Sequence, residues 1–160
     1  METLSSALAK IQQDTAVALN WGPRWQTSVT VQPTARAKTF ARVEPGLPFK
    51  EFKPGFFLGL WAVLFADKQR NYTIRLDKEG VLIRGCAFRW DDISETAIMT
   101  TTINRKPSFW RSNRRTYTDD YLILVPKQGE YEKFDLTYFS AFWGFNSELS
   151  RYIEFFKPKG

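Results

Sequence analysis

The residues best suited to chemistry form a basic and aromatic cluster near the middle of the second half of the chain. Its members are Arg105, Lys106, Phe109, Trp110, Arg111, Arg114 and Arg115. Guanidinium groups donate paired hydrogen bonds to anionic oxygens, and exposed rings stack on bases or lie at a lipid interface. The cluster predicts a loop that faces an anion. The alternative is a solvated connection whose rings fold back onto the domain.

Residue types that support catalysis are scarce. The chain has no histidine, the usual general base and metal ligand, and only one cysteine, Cys86. Two adjacent residues of a strand point to opposite faces. The two carboxylates of Asp91-Asp92, and likewise those of Asp119-Asp120, could therefore not share a proton. The sequence also lacks a phosphate-binding glycine loop, a nucleophile elbow and an HExxH motif. We therefore expect no enzymatic activity, no catalytic residues, no bound metal and no cofactor.

Composition favours one basic globular domain. The chain has 160 residues, 43% of them hydrophobic, and it is rich in rings, with 14 Phe, 6 Trp and 6 Tyr. Its net charge of +6 and a pI near 9.5 favour contact with anionic surfaces. Cys86 lies between Gly85 and Ala87 in a strand pattern, which predicts a buried and inert thiol.

The N-terminal residues and the longest apolar run bear on where the protein is located in the cell. Met1 is followed by acidic and polar residues rather than by the basic and apolar layout of a secretory signal. The longest apolar run, FFLGLWAVLFA at 56–66, is much shorter than the about 20 residues of a membrane-spanning helix, and it suits either a buried strand or a buried helix. We expect a soluble cytoplasmic protein, compatible with peripheral membrane association.

The first seventy residues predict one helix and interrupted strands. Apolar spacing indicates a helix over residues 3–20, capped by Thr3 or Ser5 and ended by Gly22-Pro23. Alternation predicts strands at 27–32 and 35–43, which Pro33 separates. The proline and glycine content of residues 44–55 predicts a loop.

The rest of the chain predicts a series of strands and a closing helix. Strands are expected at 72–76, 81–84, 86–90, 94–104, 117–126 and 131–136, with tight turns at 77–80 and 127–130 and a corner at 90–93. From Ser140 the period becomes helical, with Ser140 or Asn146 as the cap and Lys157-Pro158 as the stop. The apolar face of this helix consists of Phe142, Phe145, Leu149, Tyr152, Ile153 and Phe156.

Residues 72–156 resemble the bacterial pleckstrin-homology-like (PH-like) domains. The matching features are the Lys78-Glu79-Gly80-Val81 turn, the Trp90-x-Asp92-Ile93 corner, paired strands at 122–125 and 134–136, and the terminal helix. The resemblance implies a mainly β, α+β fold: an antiparallel barrel or sandwich closed by a C-terminal amphipathic helix. Residues 1–160 would form a single domain, in which residues 1–70 supply a helix, strands and the apolar segment and residues 71–157 form the barrel. Trp90 would fill one end of it, Ile93 would point inward, and Asp91 or Asp92 would face water.

The resemblance also implies a non-catalytic binding module. The leading expectation is protein–protein interaction through a sheet edge or the groove beside the helix, with self-association as a variant. The alternative is binding of an anionic membrane surface or nucleic acid through the loop 105–115. Phosphoinositide recognition is not expected, because the turn at 77–80, which matches the lipid-binding loop of eukaryotic relatives, has two acids and one base.

Overall fold

The described residues form two antiparallel sheets of four strands each. The computed structural model describes residues 4–36, 43–55, 72–106, 115–140 and 144–159, so the apolar run at 56–66 lies outside the described residues. The predicted class, mainly β with helices, is confirmed. Among the helices of the described residues, none combines the length and the apolar character that crossing a membrane requires.

The strands divide between the sheets as follows. Sheet A has the order β1-β6-β7-β8 and consists of β1 (Trp25–Pro33), β6 (Ile93–Arg105), β7 (Arg115–Pro126) and β8 (Glu132–Asp135). Sheet B follows chain order and consists of β2 (Phe49–Phe52), β3 (Ile74–Asp77), β4 (Gly80–Ile83) and β5 (Cys86–Arg89). The helices are α1 (Ser6–Ala18), α2 (Thr137–Ser140) and α3 (Phe145–Phe156), and two 3-10 turns lie at Thr34–Arg36 and Trp90–Asp92.

Sheet A is buried on both faces over part of its length. Alternate residues of a strand point to opposite faces, and here both sets are apolar. One set packs with sheet B and α3 in the main core and includes Ile98, Leu122, Leu124 and Phe134. The other set packs under α1 and includes Val29, Val31, Ala97, Met99 and Ile123. Sheet A is therefore the middle layer of the fold.

The closing helix α3 supplies much of the main core. Phe145, Leu149, Tyr152, Ile153 and Phe156 are all buried, as their spacing predicted, and the sixth predicted member, Phe142, lies outside the described residues. Each such side chain stabilises the fold by roughly 1.5–3 kcal/mol when fully buried. The predicted cap was wrong, because the helix begins after Gly144, whose φ of +81° needs glycine, and no side chain caps it. The predicted end at Lys157 is confirmed.

The N-terminal helix depends on sheet A more than on its own sequence. The predicted cap Ser5 is confirmed, since its side chain accepts a hydrogen bond from the Leu8 amide at 3.4 Å. Of the helix residues, only Leu8 and Ile11 are buried. The Gln12 side chain donates to the Val29 carbonyl at 2.7 Å and fixes the helix along β1.

The unit β3-β4-β5 agrees with its predicted strands and corner. The Asp77 carboxylate accepts hydrogen bonds from the amides of Glu79 at 2.9 Å and Gly80 at 3.1 Å, which closes the first turn. Trp90 is 4% exposed, and its indole donates to the Asp77 carbonyl at 2.8 Å. Ile93 is buried, while Asp91 and Asp92 are exposed. The corner thus joins the end of sheet B to the start of β6.

Three other predictions are wrong. Cys86 is exposed, because it follows the tight turn at Arg84-Gly85 as the first residue of β5, the outer strand of sheet B. The expected loop at 44–55 contains β2, whose four residues pair with β3. The expected strand at 35–43 begins instead as the 3-10 turn Thr34–Arg36, and residues 37–42 lie outside the described residues.

We predict that Gly80→Ala weakens the β4-β5 pair. A Cβ at this position would lie 1.9 Å from the backbone oxygen of Phe88, so the two strands would have to separate. We expect a loss of about 1–3 kcal/mol in the free energy of unfolding, measured by chemical denaturation. Lys78→Ala, an exposed change in the same turn, should stay within about 0.5 kcal/mol of wild type. Equal stability of the two variants would contradict the close approach.

We predict that Tyr72 makes stability fall at high pH. Its hydroxyl donates to the Asp135 carbonyl, and burial, reinforced by the Asp135 charge and opposed by Arg84, raises its pKa well above the usual 10.0. Because the folded pKa is raised, this stability is complete below about pH 10 and is lost as pH rises above it. Above pH 10, the free energy of unfolding should fall faster in wild type than in Tyr72→Phe, by up to about 1.4 kcal/mol per pH unit. Parallel decreases in urea titrations would refute this assignment.

Candidate functional site

Sheet A ends in a row of one aromatic and two basic residues. Arg105, the last residue of β6, pairs with Trp25 at the start of β1 and with Arg115 at the start of β7. The connection between α1 and β1 adds Trp21 and Arg24, and Lys106 follows β6 directly. We call the group Trp21, Arg24, Trp25, Arg105, Lys106 and Arg115 the basic-aromatic end.

Part of the predicted anion-facing loop belongs to this end. Arg105 and Lys106 are described with their side chains, and Arg115 is placed by the backbone pairing of β7. The remaining predicted members, Phe109, Trp110, Arg111 and Arg114, lie outside the described residues. The ladder between β6 and β7 brings the two ends of the predicted cluster side by side.

The aromatic members of this end contact one another and a guanidinium group. The rings of Trp21 and Trp25 meet edge to face, with centroids 5.5 Å apart and an interplanar angle of 79°. The Arg105 guanidinium lies over the Trp25 ring, 5.8 Å from its centroid, within the range of a cation–π contact. Trp21 nevertheless remains 55% exposed. An amphipathic ring is therefore held in place beside positive charge and in contact with solvent.

Backbone hydrogen bonds fix the basic residues at this end. The Lys106 amide donates to the Arg24 carbonyl at 2.9 Å, which ties the start of β1 to the end of β6. The Trp25 amide donates to the Gly22 carbonyl at 3.1 Å, closing a turn in which Gly22 has a φ of +109°. The side chains of Arg24 and Lys106 are exposed. No acidic residue occurs in the sequence at 15–24 or at 105–118, so the charge of this end is uniformly positive.

The sheet extends beyond the helix that covers it. The 13 residues of β6 span about 43 Å at 3.3 Å per residue. The 13 residues of α1 span only about 20 Å at 1.5 Å per residue. Because α1 starts beside Glu95, where Ser5 donates to that carboxylate at 2.5 Å, the uncovered length lies toward Arg105. The fold thus presents the basic-aromatic end away from the core.

The sequence pattern did not reveal Trp21, Arg24 and Trp25 as members of the site. They lie about 80 residues before Arg105, and only the pairing of β1 with β6 brings them together. A usable signal is present in the sequence WGPRW at 21–25, which combines two Trp with Arg and no acid.

The acidic pairs are arranged as structural residues. Asp120 accepts a hydrogen bond from the Thr100 hydroxyl at 2.6 Å on one face of sheet A, and its neighbour Asp119 points to the other face. In the corner, Asp91 lies 3.6 Å from Arg89 in an exposed ion pair.

Comparison of the chain with protein-family models, with curated proteins and with solved structures gave no match.

Proposed function

We propose that the protein is a non-catalytic binding module of PH-like sandwich architecture, and that its basic-aromatic end binds the anionic surface of a membrane. The architecture is supported by the two sheets that share one core with α3 and by the buried Trp90 corner. The binding function is supported by a single arrangement, the exposed Trp21 held against Trp25 in an end that is otherwise basic.

The energies of the two contributions explain why charge and ring are needed together. Each Lys or Arg near an anionic bilayer contributes about 1 kcal/mol. The four basic members of this end would therefore give about 4 kcal/mol, which corresponds to a dissociation constant near 1 mM. Such binding is weak and is screened by salt. An indole that enters the interface adds the affinity that charge alone does not supply.

The exposed apolar side chains favour a membrane over a nucleic acid. Val17 is 71% exposed in the last turn of α1, four residues before Trp21. Contact with phosphates does not require an aliphatic side chain, whereas insertion into the acyl boundary of a bilayer does. The stacking that single-stranded nucleic acid requires would use Trp21 but not Val17.

We predict that the protein co-sediments with vesicles that contain anionic phospholipid. Trp21→Ala should weaken this binding about tenfold, because it removes the interfacial ring and leaves the charge intact. The triple variant Arg24→Gln, Lys106→Gln, Arg115→Gln should weaken it by a larger factor, since about 3 kcal/mol of attraction is removed. Vesicles of neutral lipid and single-stranded DNA serve as the comparison ligands.

A charge-matched control separates this site from general basicity. Lys10→Gln, Lys53→Gln and Arg151→Gln together remove the same charge from exposed positions outside the basic-aromatic end. This control should bind anionic vesicles nearly as well as wild type. The proposal is overturned if the control and the site variant lose binding equally, if wild type does not bind, or if DNA binds more tightly than vesicles.

The outer face of sheet B favours protein contact as a second function. Phe49 and Leu82 are 40% and 42% exposed on this face, and β5 is the outer strand of its sheet among the described residues. Exposed apolar residues beside an open strand are suited to pairing with a second copy of the chain. The leading expectation from the sequence, protein–protein interaction, would use this surface.

We predict concentration-dependent self-association through this surface, measured by sedimentation velocity with a reductant present. Leu82→Lys should shift the protein toward monomer, because the charge opposes burial of the face between two copies. Val17→Lys, an exposed apolar site on α1, is the matched control and should leave the association unchanged. A monomeric wild type at all concentrations would exclude this interaction.

A further inference from the structure

A cavity of about 450 Å³ lies at the other end of β6. The last residue pair between β1 and β6 is Pro33 with Ala97, so the first residues of β6 have no β1 neighbour. The start of α1 and the end of α3 approach this gap from the two faces of the sheet. The lining of the cavity includes two acids, Glu95 and Glu154, the hydroxyl residues Thr34 and Thr96, and the bases Lys157 and Lys159.

Hydrogen bonds hold two carboxylates in the cavity wall. The Ser5 hydroxyl donates to Glu95 at 2.5 Å, and the Thr34 hydroxyl donates to Glu154 at 2.6 Å. The Thr96 hydroxyl lies 2.6 Å from the Thr34 hydroxyl. Since the single hydroxyl proton of Thr34 goes to Glu154, the Thr96 hydroxyl donates to the Thr34 oxygen. Thr34 and Thr96 are each 3% exposed. The polar groups of this wall are therefore joined by hydrogen bonds.

Both carboxylates retain capacity for a further partner. Glu95 and Glu154 accept these hydroxyl bonds, and within the described residues neither forms an ion pair. A carboxylate has about four acceptor positions. Glu154 also lies in the last turn of α3, where the helix dipole disfavours an acid by about 0.3–1 kcal/mol. Its position is therefore not explained by helix stability.

The cavity also presents bases and apolar surface. Lys157 and Lys159 face it together with Arg36, so acids and bases line the same space. A ligand with only negative charge would be repelled by the two acids, and a ligand with only positive charge would be repelled by the bases. A ligand with both charges satisfies both sets. The apolar residues Leu4 and Pro33 offer surface for an aliphatic group, and the volume falls in the range of small-molecule sites, about 300–1,000 Å³.

We propose that this cavity binds a free amino acid with an aliphatic side chain. The ligand's ammonium group contacts Glu154, its carboxylate contacts Lys157 and Lys159, and its side chain lies against Leu4 and Pro33. This inference is independent of the membrane-binding proposal, because it uses the opposite end of β6.

Isothermal titration of the full chain with L-leucine tests the proposal. N-acetyl-L-leucine lacks the ammonium charge and L-leucinamide lacks the carboxylate. We expect saturable binding of L-leucine and at least about tenfold weaker binding of each analogue, the change that follows from losing one charged contact. No saturable binding of L-leucine, or equal binding of either analogue, would overturn the proposal.

Isosteric variants locate the site. Glu154→Gln keeps an oxygen that accepts the Thr34 hydrogen bond and removes the charge, so it should weaken L-leucine binding by about tenfold with an unchanged far-UV spectrum. Glu132→Gln, exposed on β8, and Trp21→Ala, at the basic-aromatic end, should bind L-leucine as wild type does. Full affinity in Glu154→Gln would overturn the assignment. Because Trp21→Ala affects only vesicle binding, failure of one proposal is distinguishable from failure of the other.

Discussion

The fold depends on the two-sided burial of the β6-β7 ladder. Residues at even positions, such as Ile98 and Leu122, pack into the main core, and residues at odd positions, such as Met99 and Ile123, pack under α1. A slip of one residue between these strands would exchange the two sets and place each against the wrong partner. The register is therefore fixed from both sides, and both helices and sheet B are positioned with respect to it.

The same ladder explains why the two proposed sites lie where they do. The core and α1 cover only part of β6, so beyond Ile98 the face toward sheet B becomes polar, with Thr100 bonded to Asp120 and Asn104 bonded to Thr116. Hydroxyl and amide pairs let the strands continue without an apolar cover. At the Arg105 end of β6 the ladder presents basic residues. At the Ile93 end, β1 leaves the sheet after Pro33, and a cavity lies in the gap.

Patterns within short stretches of sequence predicted most of the strands and the buried face of the closing helix. The strands β3 to β8, the corner at Trp90 and the buried face of α3 follow from alternation, turn residues and helical spacing within short windows. The strand β2 was missed because its pairing with β3 overrides a proline- and glycine-rich context. The site was predicted only in its β6-β7 half, since Trp21 and Trp25 join Arg105 through a pairing between distant segments. The exposure of Cys86 likewise depends on which strand lies outermost, which alternation does not specify.

The distance between the two ends of β6 bears on whether they act together. Glu95 and Arg105 are ten residues apart, about 33 Å along the strand. Coupling over such a distance requires an element with two discrete arrangements that both ligands bias. A strand paired on both sides and packed on both faces provides one arrangement in the described structure. Changes at the two ends should therefore be additive, as expected for sites more than about 10 Å apart without shared partners. The ladder is therefore a support that separates two surfaces of different chemistry.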